Sequence, residues 1–202
     1  MTDIASRMLR KAENLFWETW LGISTRGYFA ASTPENESYG TTSFNVVFAI
    51  LDALRLSEHD VVVDLGCGRG RVVCCAALRR VRGVIGVEYE EELARIAREN
   101  ADRLRGRHSP VTIVHGGAQD FDYAAGTVFY LYNPFGAEIL GQVMTRLKQS
   151  LARRSHPIRI VYMKPHCELL MLEAAWLEPY GRWEAGSRRN LEHPVTFLRS
   201  RA

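Results

Sequence analysis

The hydrophobic pattern of the chain becomes regular from residue 61 onward. Short apolar runs rich in β-branched residues alternate with longer segments of helical period, which is typical of a parallel sheet covered by helices. The runs predict strands at about 61–65, 84–88, 111–115, 127–132 and 157–163. The segments between and after them predict helices over 70–81, 90–105, 136–150 and 166–177. Because crossovers between parallel strands are right-handed, these elements predict a doubly wound α/β sheet of the Rossmann-like class.

Both ends of the chain depart from this alternation. Residues 4–20 and 43–55 have helical periodicity, and the turn-rich loop 32–42 lies between them. Near the other end, strand-like pieces at 180–183 and 194–198 flank a polar stretch. They predict an antiparallel hairpin that follows the parallel strands.

Length and composition favour one domain. The chain has 202 residues, of which 47% are hydrophobic and 24% charged, enough for one substantial core. We expect a single domain over 1–202, with a helical flank or lid at 1–56 and the Rossmann-like core at 57–202. No apolar run is long enough to span a membrane, and charges stand where a signal peptide would be apolar, so we expect a cytoplasmic protein.

Charge and cysteine content limit the possible partners. The net charge of +3 neither requires nor excludes an anionic partner. The arginines at 79, 80 and 82 have no aromatic residues between them, as a base-stacking platform would have, and no dedicated nucleic-acid-binding module is expected. The four cysteines form no C-x-x-C pair and have no histidines at zinc-finger spacing. We therefore predict no metal site.

The most informative segment is 60–73, DVVVDLGCGRGRVV, in which a strand runs into Gly66, Gly68 and Gly70 before a helix. Such a turn lets the backbone approach a ligand and points the first helical amides at it. A dinucleotide fingerprint would place its third glycine where Arg71 stands, which counts against a nicotinamide cofactor.

An acidic residue ends the second predicted strand, GVIGVE. Glu88 lies twenty-two residues after Gly66. At this place in a dinucleotide fold a carboxylate accepts the hydrogen bonds of a ribose diol, and we favour the same role here. The alternative is a solvated helix cap like the neighbouring glutamates.

Three segments, DLGCGRGRVV, GVEYEEELARIAREN and FYLYNPFG, together resemble the class I S-adenosylmethionine-dependent methyltransferases. The likeness runs from about residue 60 to 162 and implies the seven-stranded methyltransferase fold. It also implies S-adenosylmethionine as cofactor and S-adenosylhomocysteine as product. By this resemblance Asp64, Gly66 and Gly68 hold the methionine end, Glu88 holds the ribose, and Tyr89 lies along the adenine.

The third strand departs from the family pattern. The family has a G-D-A sequence there, but this chain reads HGGAQDF, with Gly117 in place of the aspartate. Contacts to the adenine are then left to the amides of Gly117 and Ala118, to Gln119, or to Asp120.

The fourth strand ends in Asn133, Pro134 and Phe135, at the position that faces the transferred methyl in this fold. The sequence is similar to the N-P-P-Y/F of amino-group methyltransferases, with one proline fewer. Asn133 can accept a hydrogen bond from a nucleophilic N–H while Phe135 packs on the substrate. A helix N-cap at Asn133 with Pro134 at the first helical position fits the same residues, and the two roles are compatible.

The blend of WLGISTRGYF, ENESYGTT and YNPFG resembles a group of small bacterial methyltransferases and, more weakly, Dot1-type lysine methyltransferases. This likeness implies that the loop with Tyr39 closes over the cofactor; a surface turn is the alternative. Candidate general bases at the strand ends are Tyr132, Tyr162, Lys164 and His166.

The expected function is methyl transfer to an N or O nucleophile of an unidentified small molecule or protein side chain. A non-catalytic module that binds S-adenosylmethionine and a nicotinamide-dependent oxidoreductase are the alternatives. The sequence leaves open whether the protein is a monomer or a homodimer.

Overall fold

The computed structural model describes residues 4–27, 29, 32, 40–154 and 156–201. Six helices are present in these residues: α1 (Ile4–Leu21), α2 (Phe44–Ala53), α3 (Arg71–Ala77), α4 (Glu91–Arg103), α5 (Ala137–Leu151) and α6 (Glu168–Leu172). The strands are β1 (Val61–Leu65), β2 (Gly83–Glu88), β3 (Val111–His115), β4 (Val128–Tyr132), β5 (Arg159–Met163), β6 (Leu177–Trp183) and β7 (Val195–Ser200). Short 3₁₀ turns cover Ala118–Asp120 and Tyr123–Ala125.

The strands form one seven-stranded sheet in the order β3-β2-β1-β4-β5-β7-β6. The first five pair in parallel, whereas β7 runs antiparallel to both β5 and β6. The predicted doubly wound sheet with an antiparallel hairpin at its end is confirmed. β7, the second strand of the hairpin, pairs with β5, and β6, the first strand, forms the edge of the sheet.

Alternate residues of each strand face two apolar layers. Val62, Val128 and Val161 pack on the side that contains α2 and α3, while Val63 and Phe129 face α5 on the other side. Both layers are fully covered, which explains why the central strands are apolar at nearly every position rather than at every second one.

The predicted helix over 166–177 is wrong in length. α6 ends at Leu172, and Leu177 is already the first residue of β6, where it pairs with Ser200 and lies 2% exposed. The alanine-rich stretch between them has helical propensity, but burying Leu177 in the sheet overrides it. Pro179 is tolerated in β6 because this strand lies at the edge of the sheet, where the pairing shifts register beside it.

A buried ion pair joins the N-terminal helices to the start of α3. Arg71 is 3% exposed, and its guanidinium contacts Glu18, 2% exposed, at 3.2 Å. It also donates to the Thr25 hydroxyl at 2.8 Å and to the Thr42 carbonyl, and it lies 4.2 Å from the centre of the Phe44 ring. One side chain therefore binds α1, the segment after it and the start of α2.

No helix among the described residues combines the length and the apolar character needed to cross a bilayer.

The variant Glu18→Ala should unfold far more readily than the parent protein. It leaves the Arg71 charge buried without its partner, and breaking such a pair costs about 3–5 kcal/mol of unfolding free energy. Urea denaturation followed by circular dichroism measures the change. Glu92→Ala, which removes a carboxylate from an exposed pair with Arg95, is the matched control and should have little effect. Equal effects of the two substitutions would contradict this role of Arg71.

Candidate active site

A cavity of about 310 Å³ opens at the carboxyl ends of the parallel strands. Ligands bind at this edge in open α/β sheets because the strand-to-helix loops gather there. Ten of the predicted cofactor and acceptor residues line this one cavity: Asp64, Gly66, Gly68, Glu88, Tyr89, Ala118, Gln119, Asn133, Pro134 and Phe135. Tyr39 lies outside the described residues.

The glycine turn after β1 has the conformation that the sequence predicts. Gly66, Gly68 and Gly70 all have positive φ, at +75°, +54° and +80°. A Cβ on Gly66 would lie 2.4 Å from the Cβ of Pro134, so the turn also needs glycine to let the loop after β4 approach. This contact joins the glycine turn to the segment that carries Asn133.

The Glu88 carboxylate is fixed by backbone amides. It is 7% exposed, and its two oxygens accept from the amides of Gly68 at 2.6 Å and Glu90 at 2.9 Å. Burial raises the pKa of Glu88, and the hydrogen bonds from the two amides oppose this shift. Each carboxylate oxygen keeps a further lone pair that a ligand can use.

The Asp64 carboxylate lacks comparable partners. It is 3% exposed and makes no hydrogen bond or ion pair with any residue in the described ranges. Burial, and secondarily the charge of Glu88, raise its pKa well above the usual range. A buried carboxylate without donors is costly unless a ligand supplies them. The site therefore fits a ligand that brings an ammonium group or several donors to Asp64, as the methionine end of S-adenosylmethionine does.

The loop after β3 provides the far end of the cavity. Gly117, Ala118 and Gln119 line it, whereas Asp120, the remaining alternative for the adenine, is exposed and does not. The Gln119 amide lies where a Cβ on Gly117 would stand, with its Nε2 2.4 Å from that point, so a larger residue at 117 would collide with this conformation of Gln119. The donors at this end are thus backbone amides and one side-chain amide.

Asn133 has a strained backbone and a fixed side chain. Its φ is +38°, a left-handed conformation that asparagine tolerates better than most residues. The hydroxyl of Tyr162 donates to its Oδ1 at 3.3 Å, and its Nδ2 lies 3.2 Å from Nδ1 of His166. The predicted N-cap role is wrong, because α5 begins at Ala137 with Gly136 as its N-cap.

The candidate bases separate into two groups. Tyr132 and Lys164 line the cavity, whereas Tyr162 and His166 hydrogen-bond Asn133, which lines it. Burial, with a smaller contribution from Glu192, raises the pKa of Tyr132 to about 12. Tyr132 therefore stays protonated near neutral pH, which counts against its role as a general base.

Sequence reasoning missed the part that Arg71 plays. It lines the cavity and, through Thr42, places the N-terminal flank beside the glycine turn. The sequence did contain a signal: Arg71 is a charged residue at the start of an otherwise apolar helix. From the sequence, this position counted only as the place where a dinucleotide fingerprint would have a glycine.

No three acidic, histidine or cysteine side chains in the described part of the chain are grouped as a metal would require.

Sequence comparison relates the chain to known methyltransferases. The family model described as Histone methylation protein DOT1 matches residues 26–117. A protein-lysine N-methyltransferase from Saccharolobus islandicus is 32% identical over 120 residues, which cover 59% of this chain and 70% of that one. The chain belongs to the class I S-adenosylmethionine-dependent methyltransferases, with a weaker likeness to the Dot1 type, and it is a methyltransferase rather than an oxidoreductase.

Solved structures share the fold. An RNA methyltransferase from Salinibacter ruber in complex with S-adenosylhomocysteine superimposes with a TM-score of 0.56 at 24% identity, covering 80% of this chain and 92% of that one. A putative RNA methyltransferase from Pyrococcus horikoshii gives a TM-score of 0.62 at 19% identity, with coverages of 96% and 100%. At these identities the likeness concerns the fold.

The substitution Asp64→Asn should stabilise the free protein and weaken cofactor binding. Because its pKa is raised in the folded state, Asp64 keeps a proton there at pH values where the unfolded chain has lost it. Its effect on stability is therefore unfavourable above the raised pKa and disappears as pH falls toward the usual aspartate range. The asparagine variant should lose this pH slope and show a higher unfolding free energy at pH 7.

The same variant should bind S-adenosylhomocysteine roughly 10 to 100 times more weakly, since it loses charge-assisted hydrogen bonds. Thermal denaturation across pH and calorimetric titration measure the two effects. A variant that is less stable at pH 7 yet binds normally would show that Asp64 serves the fold instead.

Proposed function

We propose that the cavity binds S-adenosylmethionine between the glycine turn and the loop after β3, and presents its methyl group to an N or O nucleophile held beside Asn133. The observation that carries this proposal is the pair of buried carboxylates, Asp64 and Glu88, which line the cavity beside three glycines of positive φ. One carboxylate lacks donors from the described residues, and the other is held by two amides.

Each part of the cofactor has a matching group in the cavity. Asp64 accepts from the ammonium of the methionine end, while the turn at Gly66 and Gly68 allows close approach of the backbone. Glu88 accepts from the ribose hydroxyls with its remaining lone pairs. Tyr89, 45% exposed at the rim, lies along the adenine.

The amides of Ala118 and Gln119 replace the missing aspartate at the adenine. We also propose that the loop with Tyr39 covers the bound cofactor. Because Arg71 binds the flank directly to α3, we propose that 1–56 and 57–202 work as one domain.

When bound, S-adenosylmethionine supplies an electrophilic methyl group and leaves as S-adenosylhomocysteine. Methyl transfer by in-line displacement needs no metal, so the residues of this chain align the acceptor and exclude water. Tyr162 and His166 orient the Asn133 carboxamide, whose free oxygen lone pair accepts from the nucleophile. Phe135, 5% exposed, and Pro134 form the apolar wall behind it. The relative from Saccharolobus acts by its name on a protein lysine, which supports a nitrogen acceptor.

The cofactor assignment is tested by calorimetric titration with S-adenosylmethionine and S-adenosylhomocysteine. The parent protein should bind both with micromolar affinity, and Glu88→Gln should weaken binding roughly 10 to 100 fold because a charged acceptor is lost. Glu92→Gln, which changes an exposed glutamate in the first turn of α4, is the control and should bind like the parent. If the folded protein binds neither compound, or binds NAD instead, the proposal fails.

The role of Asn133 is tested by Asn133→Gly, because glycine tolerates the positive φ while removing the carboxamide. Affinity for S-adenosylhomocysteine should stay within about twofold. Transfer of a tritiated methyl group to heat-treated cell extract should fall by roughly 10² to 10³, the usual effect of losing one positioned polar group. Unchanged transfer would remove Asn133 from the acceptor site.

A further inference from the structure

The carboxyl edge of the sheet carries opposite charges on its two sides. β4, which ends beside Asn133, lies between β1 and β5. On the β1 and β2 side the cavity is lined by the carboxylates of Asp64, Glu88 and Glu90, and by Arg71, whose charge is paired with Glu18. On the β5 side the charged residue that lines it is Lys164. The cofactor half of the site is therefore acidic, and the opposite half contains a cation.

Lys164 is held in the cavity wall by its backbone. Its φ is +52°, and its amide donates to the carbonyl of Pro194 at 2.9 Å, just before β7 begins. Its ammonium has no ion pair or hydrogen-bond partner among the residues that the structure describes. A strained backbone that turns an unpaired cation toward a cavity is a feature of binding sites more than of packing.

The surroundings of Lys164 do not neutralise it. His166 and His193 lie nearby, and Glu192, the carboxylate whose charge acts on His193, forms an ion pair with Arg10. Burial lowers the pKa of His193, and the charges of Lys164 and then His166 lower it further, with Glu192 opposing in part. The electrostatic field at this end of the cavity is thus positive.

We propose that the methyl acceptor carries an anionic group, a phosphate or a carboxylate, that binds Lys164 beside the atom to be methylated. The inference rests on the proposed function, because it takes the β5 half of the cavity as the acceptor side. A protonated amine would be repelled by Lys164 and by the sulfonium of the cofactor, so an amine acceptor has to react as the neutral form. An anion is attracted by both charges.

The experiment uses the full chain saturated with S-adenosylhomocysteine, and the probes are sodium phosphate, sodium acetate and methylammonium chloride at constant ionic strength. Nuclear magnetic resonance of the imidazole protons of His166 and His193 reports binding at this end. We expect saturable shifts with phosphate or acetate at millimolar concentration and none with methylammonium. Comparing the two anions distinguishes a phosphate from a carboxylate acceptor.

Lys164→Gln should weaken anion binding roughly tenfold, while Lys164→Glu should abolish it and allow methylammonium to bind. Lys148→Gln, an exposed lysine on α5 with the same change in charge, is the matched control and should bind anions like the parent. Stronger binding of methylammonium than of either anion by the parent protein would overturn the proposal.

Titration with S-adenosylhomocysteine separates this inference from the cofactor assignment. Lys164→Gln should bind the product as the parent does. If its affinity falls tenfold or more, Lys164 belongs to the cofactor half, and the anionic acceptor is rejected while the cofactor site stands. If the parent protein does not bind the product at all, the proposed function itself fails.

Discussion

The buried pairing of Arg71 with Glu18 is the contact on which the closed cavity depends. The Rossmann-like sheet supplies only the floor and the strand ends, and the N-terminal flank supplies the remaining wall through Thr41, Thr42 and Val47. A charge removed from water is tolerated only when its partners are well placed, and here the partners come from three separate parts of the flank. Arg71 therefore couples correct docking of the flank to the first turn of the helix that follows the glycine turn.

The site is arranged to be incomplete without a ligand. Glu88 is held by two amides, but Asp64 is buried without donors from the described residues, and its raised pKa reflects that cost. A carboxylate held in this way destabilises the free protein, and a ligand that donates hydrogen bonds to it stabilises the complex. Similar reasoning applies to Asn133 and Lys164, whose left-handed backbones place side chains at the ends of adjacent strands.

The order of strands in the sheet brings charged residues that are distant in sequence into one cavity. Asp64, Glu88 and Lys164 are far apart along the chain, yet strands β2, β1, β4 and β5 are consecutive neighbours in the sheet. Their loops therefore meet at one edge, acidic at one side and cationic at the other. The antiparallel β7 brings His193, which precedes it, near the end of β5, because the first residue of β7 pairs with the last residue of β5.

The sequence by itself determined the features that depend on local spacing. The alternation of apolar runs fixed the order of strands and helices, the glycines after β1 required positive φ, and Glu88 at the end of β2 followed from its distance to Gly66. These are short-range consequences of backbone geometry, so they can be read from neighbouring residues. That they line one cavity also followed, because parallel strands bring their carboxyl ends to one edge.

Tertiary structure alone decided the rest. The helix expected over 166–177 yielded to β6 because burial of Leu177 against β7 outweighs local propensity. Asn133 hydrogen-bonds Tyr162 and His166 instead of capping a helix, and α5 begins four residues later, at Ala137. Arg71 acquired its role from partners up to 57 residues away along the chain. Such contacts depend on which elements pack together, and the spacing of residues along the chain does not predict that packing.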